Sequence, residues 1–384
     1  MLTYSVKPRG GVVHAVEVSE ALTRRGHAVE LAALARPDET LFRPTSVPMH
    51  VVRHQPADAP FDERIEGMLA AYAEGLRPIL GAGGYHVVHA QDCLSANAAL
   101  ELRDQGVVDH VIRTVHHVDD FTSPSLIECQ ERSITEPDHV LCVSQPWVDR
   151  LGRDFGVRAE LVCNGVDTRR FRPARNPGER AEARAAAGLG KRFAVLTVGG
   201  IEPRKGSLTL LEGFAALRAA EPQLDPVLLI AGGTTLFDYR HERDQFDARV
   251  DELGVGSHVR VLGPQAPDTI ESLFRAADVF AFPSVKEGFG LAALEALAAE
   301  LPVVASDLDV FRGFLADGES ALLAPTGDGP ALAAALRRVA NEPALRARLR
   351  AGGRRVAEGY TWDASAAVHE RAYESFLLSE ASAA

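Results

Sequence analysis

Residues 278–299 read Asp278-Val-Phe-Ala-Phe282, then Pro283-Ser-Val-Lys-Glu-Gly-Phe-Gly290, then Leu291-Ala-Ala-Leu-Glu-Ala-Leu-Ala-Ala299. The first segment predicts a buried strand, the second a glycine-rich turn and the third an almost wholly apolar helix. Strand, turn and helix in that order is the building unit of an α/β protein. Two acids interrupt the apolar run. Glu287 stands just before the flexible Gly288-Phe289-Gly290 turn, and Glu295 falls inside the helix. An unpaired buried acid is costly, so a donor is expected opposite Glu295, and ligand hydroxyl groups could supply it. A helix cap at Glu287 and an internal ion pair at Glu295 are the structural alternatives.

The same alternation extends in both directions. In the first half, helices are expected at Val12–Arg25 and Phe61–Leu80. Strands are expected at Val29–Leu34, Val47–Val52, Val87–Ala90, Val111–Val115, Val140–Val143 and Glu160–Cys163. Met1–Ser5 looks like the end of a strand. It is short for the centre of a parallel sheet, which points to a clipped strand or a start further upstream. Asn164-Gly-Val-Asp167, Phe171-Arg-Pro173 and the mixed-charge stretch Ala174–Arg184 read as a domain boundary. The pattern then restarts at Phe193-Ala-Val-Leu-Thr-Val198. Further strands are expected at Val227–Ile230, Val259–Leu262, Pro302–Ala305 and Ala321–Leu323. Helices are expected at Leu208–Ala220, Phe246–Leu253, Thr269–Ala276, Leu332–Leu349 and Trp362–Leu378. Two successive α/β domains account for this order, spanning 1–170 and 171–355. A C-terminal helix, 356–384, is expected to pack back on the first.

The chain has 384 residues, 46% of them hydrophobic and 24% charged, with a formal charge of -12. That composition is that of a globular protein large enough for two cores. The negative balance argues against a nucleic-acid polymer as partner. Cys93, Cys129, Cys142 and Cys163 are dispersed and read as thiols rather than ligands or disulfides. No secretory signal or membrane-spanning run is visible, so a cytoplasmic location is expected. An amphipathic helix face could still provide peripheral membrane contact. Nothing in the sequence fixes an oligomeric state.

Two glycine-rich segments follow strands and open helices. Arg9-Gly10-Gly11-Val-Val-His14 lets backbone approach an anion, although a plain turn would look alike. Gly199-Gly200-Ile-Glu-Pro-Arg204-Lys205-Gly206 adds two cations where Ser207 could cap a helix. Cations oppose the dipole at a helix start, and a bound diphosphate would resolve the conflict. Neither segment is a dinucleotide fingerprint or a Walker loop. Tyr239-Arg240-His241 could touch a ligand but reads as exposed.

With Glu287 and Glu295 in Pro283-Ser-Val-Lys-Glu-Gly-Phe-Gly-Leu291, these segments resemble the retaining glycosyltransferases of family 4, which have the GT-B architecture. Thr114-Val-His116, Asn164-Gly-Val-Asp167 and Pro302-Val-Val-Ala-Ser306 support the likeness, which covers nearly the whole chain. Within that family the chain is similar to a subgroup associated with nitrilase gene clusters. The resemblance implies an α/β fold of two Rossmann-like domains facing a central cleft. It implies transfer of a hexose-type sugar, with retention, from a UDP-, GDP- or ADP-sugar to a hydroxyl acceptor. No cofactor or metal is obligatory.

By resemblance, Lys205 binds the donor diphosphate, Glu287 addresses the transferred sugar and Glu295 accepts from the ribose hydroxyls. His116 contacts the sugar at the reacting centre. Gly10, Gly11, Gly199, Gly200, Gly206, Gly288, Phe289, Gly290 and Leu291 line the donor. The family usually has arginine where Gly200 stands, and Arg204 is expected to replace it. On the acceptor side, His117 is an alternative to His116, and Asp92 is a candidate that could equally cap a helix. Asp119-Asp120 reads as a loop or cap. A glycoside hydrolase, a nucleotide-sugar epimerase and a non-catalytic sugar-phosphate-binding protein are the competing readings.

Overall fold

The structure is a computed structural model in which residues 1–232 and 240–383 are described. The chain divides into two compact units, Met1–Asn164 with Trp362–Ala384, and Gly165–Thr361. The divisions at 164/165 and 361/362 differ from the expected 170/171 and 355/356.

The first unit runs β1 (Leu2–Thr3), α1 (Gly10–Arg24), β2 (Leu31–Ala35), β3 (Met49–Arg53), α2 (Phe61–Gly81) and β4 (Val88–Ala90). It continues with α3 (Cys93–Asp104), β5 (Val111–Val115), α4 (Pro124–Thr135), β6 (His139–Cys142), α5 (Gln145–Phe155) and β7 (Ala159–Leu161). The second unit holds α6 (Pro177–Ala186), β8 (Ala194–Val198), α7 (Ser207–Ala220), β9 (Val227–Ala231), α8 (Arg240–Glu252), β10 (Val259–Gly263) and α9 (Pro267–Ala276). Then come β11 (Val279–Phe282), α10 (Leu291–Ala298), β12 (Val303–Ser306), α11 (Asp309–Arg312), β13 (Leu322–Ala324), α12 (Gly329–Asn341) and α13 (Pro343–Gly359). The last helix, α14 (Trp362–Ala383), packs on α1 in the first unit.

Among the described residues the strands form two all-parallel sheets, ordered β3-β2-β1-β4-β5-β6-β7 and β10-β9-β8-β11-β12-β13. Parallel strands covered on both faces must be apolar throughout, and β2, β9, β11 and β12 are buried at every position. The short β1 lies in the middle of its sheet, Leu2 pairing with Ala32 on one side and Ala90 on the other. In the second unit Phe214, Phe246 and Leu336 join Leu228, Ile230 and Val279 in one core. Each such side chain contributes roughly 1.5–3 kcal/mol on burial.

Two expectations need correction. Ala174–Arg184, expected at the domain boundary, lies within the second unit, where Pro177–Ala186 is α6, capped by the Asn176 side chain on the Glu179 N–H. The tail 332–349 is not one helix but α12 and α13. They break at Glu342 because Pro343 lacks an N–H and starts the second helix instead.

The strand orders place the ligand-binding ends. In an open parallel sheet, ligands sit beyond the carboxyl ends of strands where the winding reverses. In the first sheet that point lies between β1 and β4, and in the second between β8 and β11.

Candidate active site

In the second unit the switch point gathers the segments that the sequence singled out. Gly199 and Gly200 follow β8, Arg204 and Lys205 form a 3-10 turn, Pro203–Lys205, and Glu287 follows β11. The Arg204 carbonyl accepts from the Val285 N–H at 2.8 Å, tying the two loops together. Gly206 has φ 64°, and a Cβ there would lie 2.0 Å from the Pro283 carbonyl oxygen. Only glycine fits both the conformation and the gap.

Glu287 is the buried acid, 9% exposed. Its Oε1 accepts from Lys205 Nζ at 2.6 Å, Ser284 Oγ at 2.8 Å and Arg204 Nη1 at 3.4 Å. Arg204 also lies 3.5 Å from Glu202. Burial pushes the Glu287 carboxyl up, but Lys205 and Arg204 outweigh it and hold the group below its usual value. Burial lowers the Lys205 ammonium despite Glu287. Its stem runs past Gly199, and Nζ stands 4.8 Å from the centre of the Phe282 ring. The result is a desolvated cation paired with a buried acid.

The remaining second-unit candidates divide. Gly290 is the N-cap of α10, with φ 107°; a Cβ would meet the Phe311 ring at 2.6 Å. No side chain caps α10, so its first N–H groups, beginning at Leu291, are available to an anion. Gly288 and Phe289 are buried in the turn, and Phe289 stacks on Phe314 at 5.1 Å. Glu295 is partly exposed rather than buried, since it faces away from the apolar side of α10. Ser207 does not cap α7: Gly206 occupies that position and Ser207 is the first helical residue. Of Tyr239-Arg240-His241, Tyr239 lies outside the described residues.

In the first unit, Gly10 and Gly11 open α1, whose N-cap residue Arg9 makes no side-chain cap. Gly11 makes room for a side chain: a Cβ there would stand 3.3 Å from the His116 ring. His116, just beyond β5, has its Nε2 2.9 Å from Gln91 Oε1. An amide oxygen only accepts, so Nε2 carries the proton. His117 pairs instead with Asp119 at 3.1 Å, and the Asp119 N–H donates to Gln130. Asp92 is a cap. Its Oδ1 accepts from the Ser95 N–H at 2.7 Å and its Oδ2 from the Tyr4 N–H at 2.8 Å, while Ser95 Oγ completes a capping box. Each carboxylate oxygen thus accepts one backbone N–H and keeps a second lone pair.

A cluster that sequence reasoning missed lies behind His116. His14 stands edge-on to it at 4.9 Å and lies 5.2 Å from His369 of α14; His89 lies 6.0 Å from His369. His14 bonds Asn164 at 2.6 Å, and His89 bonds both Tyr373 and Thr114 at 2.7 Å. Burial lowers His14 to about 3 and His369 to about 4, and holds His89 and His116 well below the ordinary value. The four imidazoles are therefore held neutral, and of these His116 lies against Gly11. Among the described residues they make no metal-holding group.

Known proteins share this organisation. The model of Glycosyltransferase Family 4 matches residues 8–170, and that of Glycosyl transferases group 1 matches residues 179–356. The D-inositol 3-phosphate glycosyltransferase of Saccharomonospora viridis is 33% identical over 381 residues, spanning 93% of this chain and 87% of the relative. The chain belongs to the group 1 and family 4 glycosyltransferases. It is thus a nucleotide-sugar-dependent sugar transferase. The Rhodococcus opacus D-inositol 3-phosphate glycosyltransferase is 30% identical, over 93% of this chain and 84% of that one. Sucrose-phosphate synthase from Thermosynechococcus elongatus superimposes with a TM-score of 0.81 at 24% identity, covering 98% of both chains. Anabaena HepE, solved in complex with UDP and glucose, gives 0.75 at 19% identity over 97% of both. The fold is GT-B, two Rossmann-like domains.

Proposed function

We propose that this glycosyltransferase moves a hexose-type sugar from a UDP-, GDP- or ADP-sugar to a hydroxyl acceptor, with retention at the anomeric carbon. The observation that carries this reading is the convergence of Lys205, Arg204 and Ser284 on one oxygen of Glu287 at the second unit's switch point. A donor diphosphate seated there meets Lys205, Arg204 and the open N–H groups of α10, so charge developing on the leaving group is neutralised by fixed donors. Arg204 takes the part of the arginine that Gly200 replaces. Glu287 accepts from hydroxyls of the transferred sugar and keeps Lys205 in place. Glu295, partly exposed, accepts from ribose hydroxyls. His116 contacts the sugar, and its Gln91 bond leaves Nδ1 as the acceptor nitrogen. The acceptor hydroxyl attacks from the face that the diphosphate leaves, and the departing oxygen takes its proton.

The curated relatives are named for D-inositol 3-phosphate, which makes it the first acceptor to assay. The nitrilase-associated subgroup and a cytoplasmic location belong to the same reading. Among the described residues no helix is long and apolar enough to cross a membrane. The test is product formation by mass spectrometry across a panel of nucleotide sugars and hydroxyl acceptors, with proton NMR of the product's anomeric centre. Retained configuration supports the proposal; inversion, or sugar release that needs no nucleotide, rejects it.

A further inference from the structure

We infer that the second unit carries another anion site, an arginine-lined cavity at the amino ends of β8, β11 and β12 that takes a phosphorylated small molecule. The cavity measures about 650 Å³, within the range of small-molecule sites. Phe193, Asp278 and Pro302, which immediately precede those three strands, lie in its wall. Lys205 and Glu287 lie beyond the carboxyl ends of β8 and β11. A five-residue parallel strand spans roughly 17 Å, so the two sites are separate.

Four guanidinium groups reach the wall: Arg180 from α6, Arg275 from α9, and Arg346 and Arg350 from one face of α13. Two acids, Asp278 and Glu300, share it. Both are already matched by arginines outside the wall. Asp278 takes Arg184 at 3.1 Å as well as Arg180 at 2.7 Å, and Glu300 takes Arg354 at 2.6 Å and Arg350 only at 3.4 Å. The wall is left with a surplus of positive charge in a chain whose formal charge is -12.

One of the cations is also positioned. Arg346 donates to the Val339 and Ala340 carbonyls at the end of α12, which fixes its plane. The Arg275 side chain makes no hydrogen bond or ion pair among the described residues. α13 starts at Pro343 in the wall without a side-chain cap, adding the positive end of a 17-residue helix. Burial disfavours the Arg180 charge, Asp278 offsets part of that, and Arg184 and Arg350 add like-charge repulsion. A bound phosphate would relieve that repulsion and accept planar, paired hydrogen bonds from the guanidinium groups.

The test is isothermal titration of the full chain with inorganic pyrophosphate at fixed ionic strength. Wild type should show two classes of site. Lys205→Ala should keep one, and Arg275→Ser with Arg350→Gln should weaken that one by about tenfold or more. Arg275→Ser alone, at a side chain that holds nothing else together, guards against a folding defect and should weaken it in the same direction. Three results overturn the inference: loss of all pyrophosphate binding in Lys205→Ala, unchanged binding in both arginine variants, or equal competition by sodium chloride.

Discussion

Lys205 and Glu287 define each other. The cation is destabilised by burial, the acid is held ionised by the cation, and Ser284 fixes the acid from three residues away. If Lys205 stabilises the leaving diphosphate, Lys205→Ala should lower kcat by about 10²–10³-fold, the usual effect of removing one preorganised donor. Arg204→Ala should instead raise the donor KM, because its 3.4 Å contact with Glu287 is looser and it lies nearer the solvent. Initial rates over a range of donor concentrations separate the two; an unchanged donor dependence in Arg204→Ala would remove Arg204 from the site. Glu287 could be singled out in the sequence because an acid between an apolar strand and a glycine turn stands apart from its neighbours. Glu295 misled for a related reason. Its neighbours are all apolar, yet α10 turns it toward partial exposure together with Leu291 and Ala292, and linear composition does not record the direction of a single side chain.

Among the elements, the turn at Gly206 and the first turn of α3 make opposite demands. Gly206→Ala forces a left-handed φ on a Cβ and drives it into the Pro283 carbonyl, so the two donor loops must separate. The expected outcome is a loss of both stability and donor binding, read by thermal melting with and without UDP. Asp92→Ala tests a cap instead. It deletes the capping box of α3 and strands the Tyr4 N–H, at an expected cost of about 1–3 kcal/mol in urea denaturation. A KM effect with unchanged stability would return Asp92 to the acceptor. Most strands and helices could be read in advance because buried parallel strands leave continuous apolar runs. The exceptions have local causes. α6 is so polar that only Ala183 is buried, so it resembles a linker, and Pro343 splits a periodic run at a position where a proline can begin a helix as well as end one.

At the scale of the whole molecule, the chain returns from its second unit to its first, and α14 brings Trp362, His369 and Tyr373 against residues more than 200 positions earlier. No spacing rule could assemble the histidine cluster, because His14, His89, His116 and His369 belong to four separate parts of the chain. The cluster makes stability depend on pH with a definite sign. In the unfolded chain each imidazole takes a proton as pH falls below about 6.5. In the folded protein burial lowers His369 to about 4 and His14 to about 3. Their share of stability is therefore complete above 6.5 and is lost as pH falls from 6.5 toward 4, because the unfolded state binds more protons. At pH 5 the loss is up to about 2 kcal/mol for each imidazole kept neutral. Glu287 acts in the same direction, but only below its unfolded value near 4.5, whereas the buried Met1 amine, lowered to about 5, loses stability over the same span as the histidines. The urea midpoint should fall steeply from pH 7.5 to pH 5.0 for wild type and less for His369→Gln, a comparison that cancels the Met1 amine and removes both the His369 titration and its repulsion of His14, His89 and His116. Equal falls in the two proteins would mean that His369 can accept its proton in place, and that the cluster is more open to water than its packing against α1 and α14 implies.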